Sequence, residues 1–388
     1  MGGRSASSTW SRKRVARSTE PPSTRGRWLL LLLSTLLTLG VFEMFFRWVL
    51  PATQSPLTEY DRAFNIPRYQ SDGRREGIST TGRWCERPVH WRINNDGWNS
   101  AIDYAPAGDR GKPLVAIIGD SYIDALQVNV GESVMDDLRR RQAGRREVYG
   151  FGFSGAPLSQ YLQMSRYVRQ VFRPEVLVFN IVYNDFDESL RELDPKPYFL
   201  QLSPGAGGLE EVQPKAYEPS RIKRLAAHSA IVRYLWLNLH LPELLQSRRG
   251  PKGEPDRFYA DVDIVELERH RELIERATFD LVDRIRQENP GTEIIFMMDA
   301  PRTDIYEGKA GEGRLGWLHQ LMRRACERSG CRFLDLTAPF RERYERDHVP
   351  LNFPNDYHWN ETGHALAAEV LDAALNESSA PATAATVP

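Results

Sequence analysis

Apolar positions in this chain fall into two kinds of block. Near the N-terminus, Trp28 to Phe42 is uncharged and mostly leucine, and the apolar character runs on to Leu50, interrupted by Glu43 and Arg47. From residue 113 onward, short apolar runs alternate with segments of helical period. The runs Leu114–Gly119, Glu147–Gly152, Glu175–Val182, Glu293–Asp299 and Arg332–Leu336 predict strands buried on both faces. Helices are expected between them near 131–143, 157–171, 264–288 and 314–329, with a last one from about 361 to 375. In the third of these, Leu267, Ile274, Ala277, Leu281 and Ile285 mark the inner face, and Asn289-Pro-Gly291 stops it. Strand and helix repeated in this way predict an α/β fold, a parallel sheet with helices on both faces, over residues 113–375.

The first block reads as a membrane span over 28–50. Twenty-three helical residues cover roughly 35 Å, enough for a bilayer. Glu43 and Arg47 are four apart and can pair on one helix face. Residues 1–27 carry Arg4, Arg12, Lys13, Arg14, Arg17, Arg25 and Arg27 against Glu20 alone, which predicts a cytoplasmic basic tail and an extracytoplasmic remainder. A cleaved signal peptide is the rival reading. The apolar stretch is long for one, and no small-x-small site follows it, so an uncleaved signal anchor is expected.

Other segments are less regular. Residues 51–112 form a lead-in without clear periodicity. They contain His90-Trp-Arg-Ile-Asn-Asn-Asp-Gly-Trp-Asn99, whose Asn-Asp-Gly is a turn signal, either of a β-hairpin or of a loop near a site. Residues 187–262 are too long for an ordinary connection and suggest a lid, a substrate wall or a structural flap. Their part near 203–220 reads as irregular and 221–247 as helical. The tail from Asn376 reads as disordered. A formal net charge of −1 gives no basis for nucleic-acid binding. The three cysteines make neither a disulfide scaffold nor a zinc site; Cys326 and Cys331 are either a bridge or two buried thiols.

Four short segments fall at the same end of the expected sheet, where α/β proteins bind ligands. Gly119-Asp120-Ser121 follows the first strand. Gly150-Phe-Gly-Phe-Ser-Gly155 follows the second; its glycine spacing differs from the dinucleotide fingerprint. Val182-Tyr-Asn184-Asp185 ends the third. Asn355-Asp-Tyr-His358-Trp precedes the last helix. Acyl transfer through serine needs a base near neutral pH, a carboxylate to hold the base, and donors aimed at the oxyanion. Ser121, His358 and Asp356 fill the catalytic roles. Gly155 and Asn184 fill the oxyanion roles. His348 and His364 compete with His358 less well, one beside Asp347 and the other inside the last helix. Asp120 and Asp185 read as braces of their turns. Asp356, His358 and His364 match no metal-ligand spacing, so neither metal nor cofactor is expected.

In order, these segments resemble the four sequence blocks of the SGNH (GDSL-type) hydrolases over roughly 113–375. The resemblance implies a three-layer α/β/α sandwich with a flavodoxin-like sheet, preceded here by one transmembrane helix. It also implies that Ser121 is the nucleophile, Asp356 and His358 complete the triad, and Ser121, Gly155 and Asn184 form the oxyanion hole. Two positions depart from the common pattern. Tyr183 stands where many members have glycine, and Asp356 precedes His358 by two positions where many members use three. The second is similar to the Asp-x-His-Trp block of extracytoplasmic relatives, among them polysaccharide O-acetyltransferases of alginate export. The N-terminal anchor and the Asn-Asp-Gly-Trp segment look like a membrane-anchored bacterial subgroup. The expected activity is therefore an extracytoplasmic serine esterase or O-deacylase acting on acyl esters, acetyl foremost, with an acylated glycan as one candidate partner. An O-acyltransferase with a glycan acceptor and a non-catalytic envelope scaffold are the alternatives.

Overall fold

The computed structural model describes residues 24–72, 75–241, 258–259, 262–309, 313–354 and 356–379. Most of the basic tail, part of the 187–262 insertion and the tail beyond residue 379 lie outside the described residues. The apolar block forms helix α1 (Thr24–Met44), which continues as a wider turn over Phe45–Val49. Its twenty-six residues to Val49 are long and apolar enough to cross a membrane, and none of α1 is buried in the protein.

The strands are β1 (Leu114–Gly119), β2 (Glu147–Gly152), β3 (Val176–Ile181), β4 (Glu293–Met298) and β5 (Arg332–Asp335). They lie in the order β5-β4-β3-β1-β2 and pair in parallel throughout. This is the flavodoxin-like order, whose switch point lies between β1 and β3. Along β1, alternate residues enter opposite cores. Leu114, Ala116 and Ile118 pack on one face, Val115 and Ile117 on the other. The first face is covered by α4 (Leu158–Phe172), α5 (Arg271–Glu288) and α6 (Gly316–Ser329). The second is covered by α3 (Val134–Arg141), α7 (Thr337–Asp347) and α8 (Glu361–Ser379). A short turn of helix, α2 (Ser121–Asp124), follows β1 directly. The result is the expected three-layer α/β/α sandwich.

The lead-in packs into the same core. It forms two hairpins, Thr58–Asp61 with Ile66–Tyr69 and Glu76–Thr81 with Glu86–Arg92. Trp91, Trp98 and Tyr104 are buried against α4 and β2. The Asn-Asp-Gly turn is closed by Asn94, whose side-chain oxygen accepts from Asp96 and Trp98 amides.

Several expectations need correction. The 203–220 region is not wholly irregular: Gln201–Gly205 and Gly208–Val212 form a hairpin, because its Pro and Gly residues shape a turn between two strands. The helix expected over 264–288 is broken at His270 into Ile264–Arg269 and α5; Asp263 caps the first piece. Helix α7 was not expected, since Phe340 is its one buried residue. Residues 376–379, expected in the tail, are helical, as α8 runs to Ser379. Cys326 and Cys331 are free thiols.

Candidate active site

Strand β1 delivers Ser121 to the switch point. Asp120 is the N-cap of α2, and its carboxylate accepts the Tyr122 amide at 3.0 Å. The cap holds Ser121 at the exit of the strand, half-exposed. The last block folds back over it between Leu351 and α8, with Asn352 bridged to Trp359 across the loop.

Ser121 Oγ lies 2.7 Å from His358 Nε2, and His358 Nδ1 lies 2.5 Å from Asp356 Oδ1. The same carboxylate oxygen accepts the His358 backbone amide at 3.0 Å. The two-residue spacing of acid and base is thus long enough for direct contact, with a local turn fixing the ring. A proton on Nδ1 facing Asp356 leaves Nε2 as acceptor for the serine hydroxyl. Asp120 Oδ2, at 3.3 Å from Ser121 Oγ, is the weaker competing acceptor. Burial alone would depress His358, but the hydrogen bond and charge of Asp356 outweigh it and its pKa rises. Burial opposes ionisation of Asp356 too, but His358 holds its pKa below the ordinary value.

Asn184 lines the same small cavity of about 80 Å³ as Ser121, Tyr183, Tyr357 and His358. Gly155 takes a φ of +78° in the turn after β2, which favours glycine, but it does not line this cavity. Asp185 braces its own turn, accepting the Val182 amide at 2.8 Å.

The competing histidines are elsewhere. His364 is buried, accepts the Val134 amide at Nδ1, and is pushed down to about 3 by burial, which keeps it neutral. His348 caps the exposed end of α7. Among the described residues no group of His, Cys, Asp and Glu is arranged to hold a metal ion.

Three supports were not anticipated. First, Asp299 and Arg302, at the end of β4, form a buried ion pair at 3.0 Å. Arg302 also donates to Tyr122 Oη at 2.7 Å and to the Tyr357 carbonyl, while Trp359 donates its indole N–H to Asp299 at 2.7 Å. This clamps the histidine loop to the nucleophile turn from below. Second, Tyr183 Oη meets His319 Nε2 at 2.9 Å, and His319 Nδ1 lies 3.2 Å from Asp335. The residue standing in for the usual glycine is therefore held in place. Third, the lead-in and the turn after β2 grip α2: Asn99 donates to the Asp124 carbonyl at 2.7 Å, and Tyr69 and, from that turn, Ser154 donate to its carboxylate at 2.7 and 2.6 Å. Burial pushes Asp124 up to about 6. An acid at a strand end, Asp299-Ala-Pro-Arg302, is the local signal of the first, while Tyr183 and the segment ending in Asn99 mark one member each of the other two.

Gly152 ends β2 against the backbone of Ile123 and Asp124. A Cβ there meets main chain, which has no rotamer to yield. Gly152→Ala is expected to cost about 3 kcal/mol and to displace α2. Urea unfolding checks the cost, and an unchanged midpoint would refute the close approach.

A second cavity of about 180 Å³ adjoins the first through shared Tyr183 and Tyr357, and is also lined by Arg302, Thr303, Tyr306, Glu307 and Asn352.

The model of the GDSL-like lipase/acylhydrolase family matches residues 117–366. No curated protein matches the chain in sequence. Among solved structures, LAE5, an alpha/beta hydrolase from the metagenome of Lake Arreo, Spain, is 18% identical with a TM-score of 0.38, covering 68% of this chain and 95% of its own. The acetyl xylan esterase AlAXEase is 12% identical at a TM-score of 0.38, covering 68% and 99%. A carbohydrate esterase family 2 enzyme from Corynascus thermopiles (Myceliophthora fergusii) is 15% identical at 0.37, covering 73% and 70%. At these scores the likenesses decide nothing about substrate.

Proposed function

Because this chain belongs to the GDSL-like lipase/acylhydrolase family, we propose that it is a membrane-anchored serine esterase that removes short acyl groups, acetyl foremost, outside the cytoplasm. The observation that carries the reading is the unbroken line from Ser121 Oγ through His358 to Asp356. His358 Nε2 takes the hydroxyl proton as Ser121 Oγ bonds to the ester carbonyl carbon. The carbonyl oxygen becomes an oxyanion, for which the Ser121 and Gly155 amides and the Asn184 side chain are the proposed donors. Each such donor is worth about 10²–10³ in rate. His358 then gives its proton to the departing alkoxide, and water, activated by the same imidazole, releases the acid. Asp356 stays ionised throughout and stabilises the imidazolium. The apolar helix α1, with basic residues before it, supports the anchored, extracytoplasmic placement.

The larger cavity favours a second reading, an O-acyltransferase. Tyrosine, Thr303, Asn352 and Arg302 groups in its wall suit a hydroxyl-rich leaving group or acceptor such as a glycan. Both readings share the acyl-enzyme. Incubation with an acetyl ester and intact-mass measurement should show a 42 Da adduct on Ser121 (about the mass of acetyl replacing a proton). Release of free acetate supports the esterase, and acetylated oligosaccharide supports the transferase. No adduct and no turnover would sink both.

The base must be neutral to act. With the His358 pKa raised above 6.5 by Asp356, kcat/KM should fall as pH drops through a point above that value. Asp356→Asn removes the charge that raises it. The acid limb should move to lower pH while the plateau drops by about 10⁴. A limb that stays put would show that another group controls the profile.

A further inference from the structure

Residues 221–238 are built inside out for a water-soluble surface. Arg221–His228 is a helix, followed by Ala230–Arg233 and a wider turn over Tyr234–Asn238. Two of its polar residues, Arg233 and Asn238, point inward. Arg233 is buried and donates to the Thr53 and Ala227 carbonyls, and Asn238 is buried against Thr53, Thr80 and Gly82. The apolar ones point out: Ile222 is 80% exposed, Leu225 75% and Trp236 62%. Ile222 and Leu225 are three apart, and Val232, Leu235 and Trp236 repeat at three and four, so each set forms one face. Trp84, 68% exposed, stands on the adjacent hairpin tip, tied in by the Tyr234 hydroxyl bonding the Arg83 carbonyl at 2.9 Å. Single exposed apolar residues are ordinary, but a cluster with two polar side chains turned inward marks contact with something other than water.

The position of the cluster says what that is. Glu43, in the last turn of α1, accepts the Ala230 and Ile231 amides at 2.8 and 3.2 Å and the Ser229 hydroxyl at 2.9 Å. Arg47 donates to the His228 carbonyl at 3.0 Å, and Phe46 stacks on Tyr234 at 4.0 Å. The exposed apolar face is thus continuous with the end of the candidate span. Arg83, Arg221, Lys223 and Arg224 are exposed around it and long enough to reach headgroups.

We propose that residues 221–238, with Trp84, are a foot that sinks its apolar face into the headgroup–acyl boundary of the lipid bilayer. This rests on α1 being a membrane span. A lipid surface suits the combination of exposed tryptophans, aliphatic side chains and a basic rim.

The test uses the full chain in phosphatidylcholine vesicles, with Cys85, Cys326 and Cys331 replaced by alanine. An environment-sensitive fluorophore is placed by Leu225→Cys, and in a second protein by Glu327→Cys on α6, outside the foot. The Leu225→Cys label should be quenched by lipid-borne nitroxide and be roughly threefold or more less accessible to aqueous iodide than the Glu327→Cys label. Equal iodide quenching at both sites, in protein that floats with the vesicles, would overturn the foot and leave the anchor standing. Protection from both quenchers would mean a protein surface covers the face, which also overturns it. Protein that fails to float removes the anchor and the foot together.

Discussion

Ser121→Ala is expected to lower kcat for ester cleavage by about 10⁵-fold while leaving substrate binding within a factor of a few. The expectation follows from how the site is built. His358 Nε2 has the Ser121 hydroxyl as its partner at 2.7 Å, and none of the residues bracing the turn offers another nucleophile. Asp120, the next reactive group, is buried as the cap of α2, and burial raises its pKa. His358→Ala should cost about as much, and the double variant little more, because the two act as one unit. Strictly additive losses would show that the serine and histidine work independently. Retained turnover in Ser121→Ala would end the serine mechanism. Initial rates on a chromogenic acetate, with circular dichroism as a check on folding, decide this.

The second large effect is on stability. Arg302→Met is expected to destabilise the protein by about 3–5 kcal/mol, because it strands Asp299 in the interior. Arg302 and Asp299 side chains are 5% and 2% exposed, and the tie to Trp359 keeps Asp299 from turning to solvent. The pH dependence has a definite sign. Burial already raises the Asp299 pKa, and Arg302 is the main force opposing that rise. Without Arg302 the folded pKa climbs further above the unfolded value. A carboxyl so shifted favours the folded state most below the unfolded pKa, and that support is lost as pH rises through the folded one. The deficit of Arg302→Met should therefore grow from pH 5 to pH 8 in urea titrations. Asp299→Asn on top of it should recover part of the loss. A deficit independent of pH would mean that lost packing, not the stranded charge, is responsible.

What could be read from the chain and what could not divide along a physical line. The five sheet strands were legible to within a residue; four are buried on both faces, so their composition is largely apolar, while the edge strand β5, half-buried, showed as a short run after the 316–329 helix. Ser121, Asn184, Asp356 and His358 were legible because turn chemistry and reactive side chains coincide at strand ends. Gly155 was named on the same grounds, yet it stands outside the small cavity. The Asp299–Arg302 clamp was hidden because its partners Tyr122, Tyr357 and Trp359 come from distant segments, and nothing in 299–302 alone announces them. Helix α7 was hidden for the opposite reason: a helix with a single buried side chain carries almost no periodic signal. The aromatic lead-in showed no period because its Trp91, Trp98 and Tyr104 come from two short hairpin and loop segments and enter the core cluster at irregular spacing.

The carboxylate of Glu43 bears on more than the local fold. By taking the first amides of the 230 helix, it removes the slack that a tether would otherwise have between span and catalytic domain. In a membrane-anchored enzyme so joined, the nucleophile works at one height above the lipid. The effective concentration of an ester carried on a membrane-bound chain is then high at that height and close to zero a short way above it. Position along the polymer, as much as chemistry, would choose which acyl groups are removed.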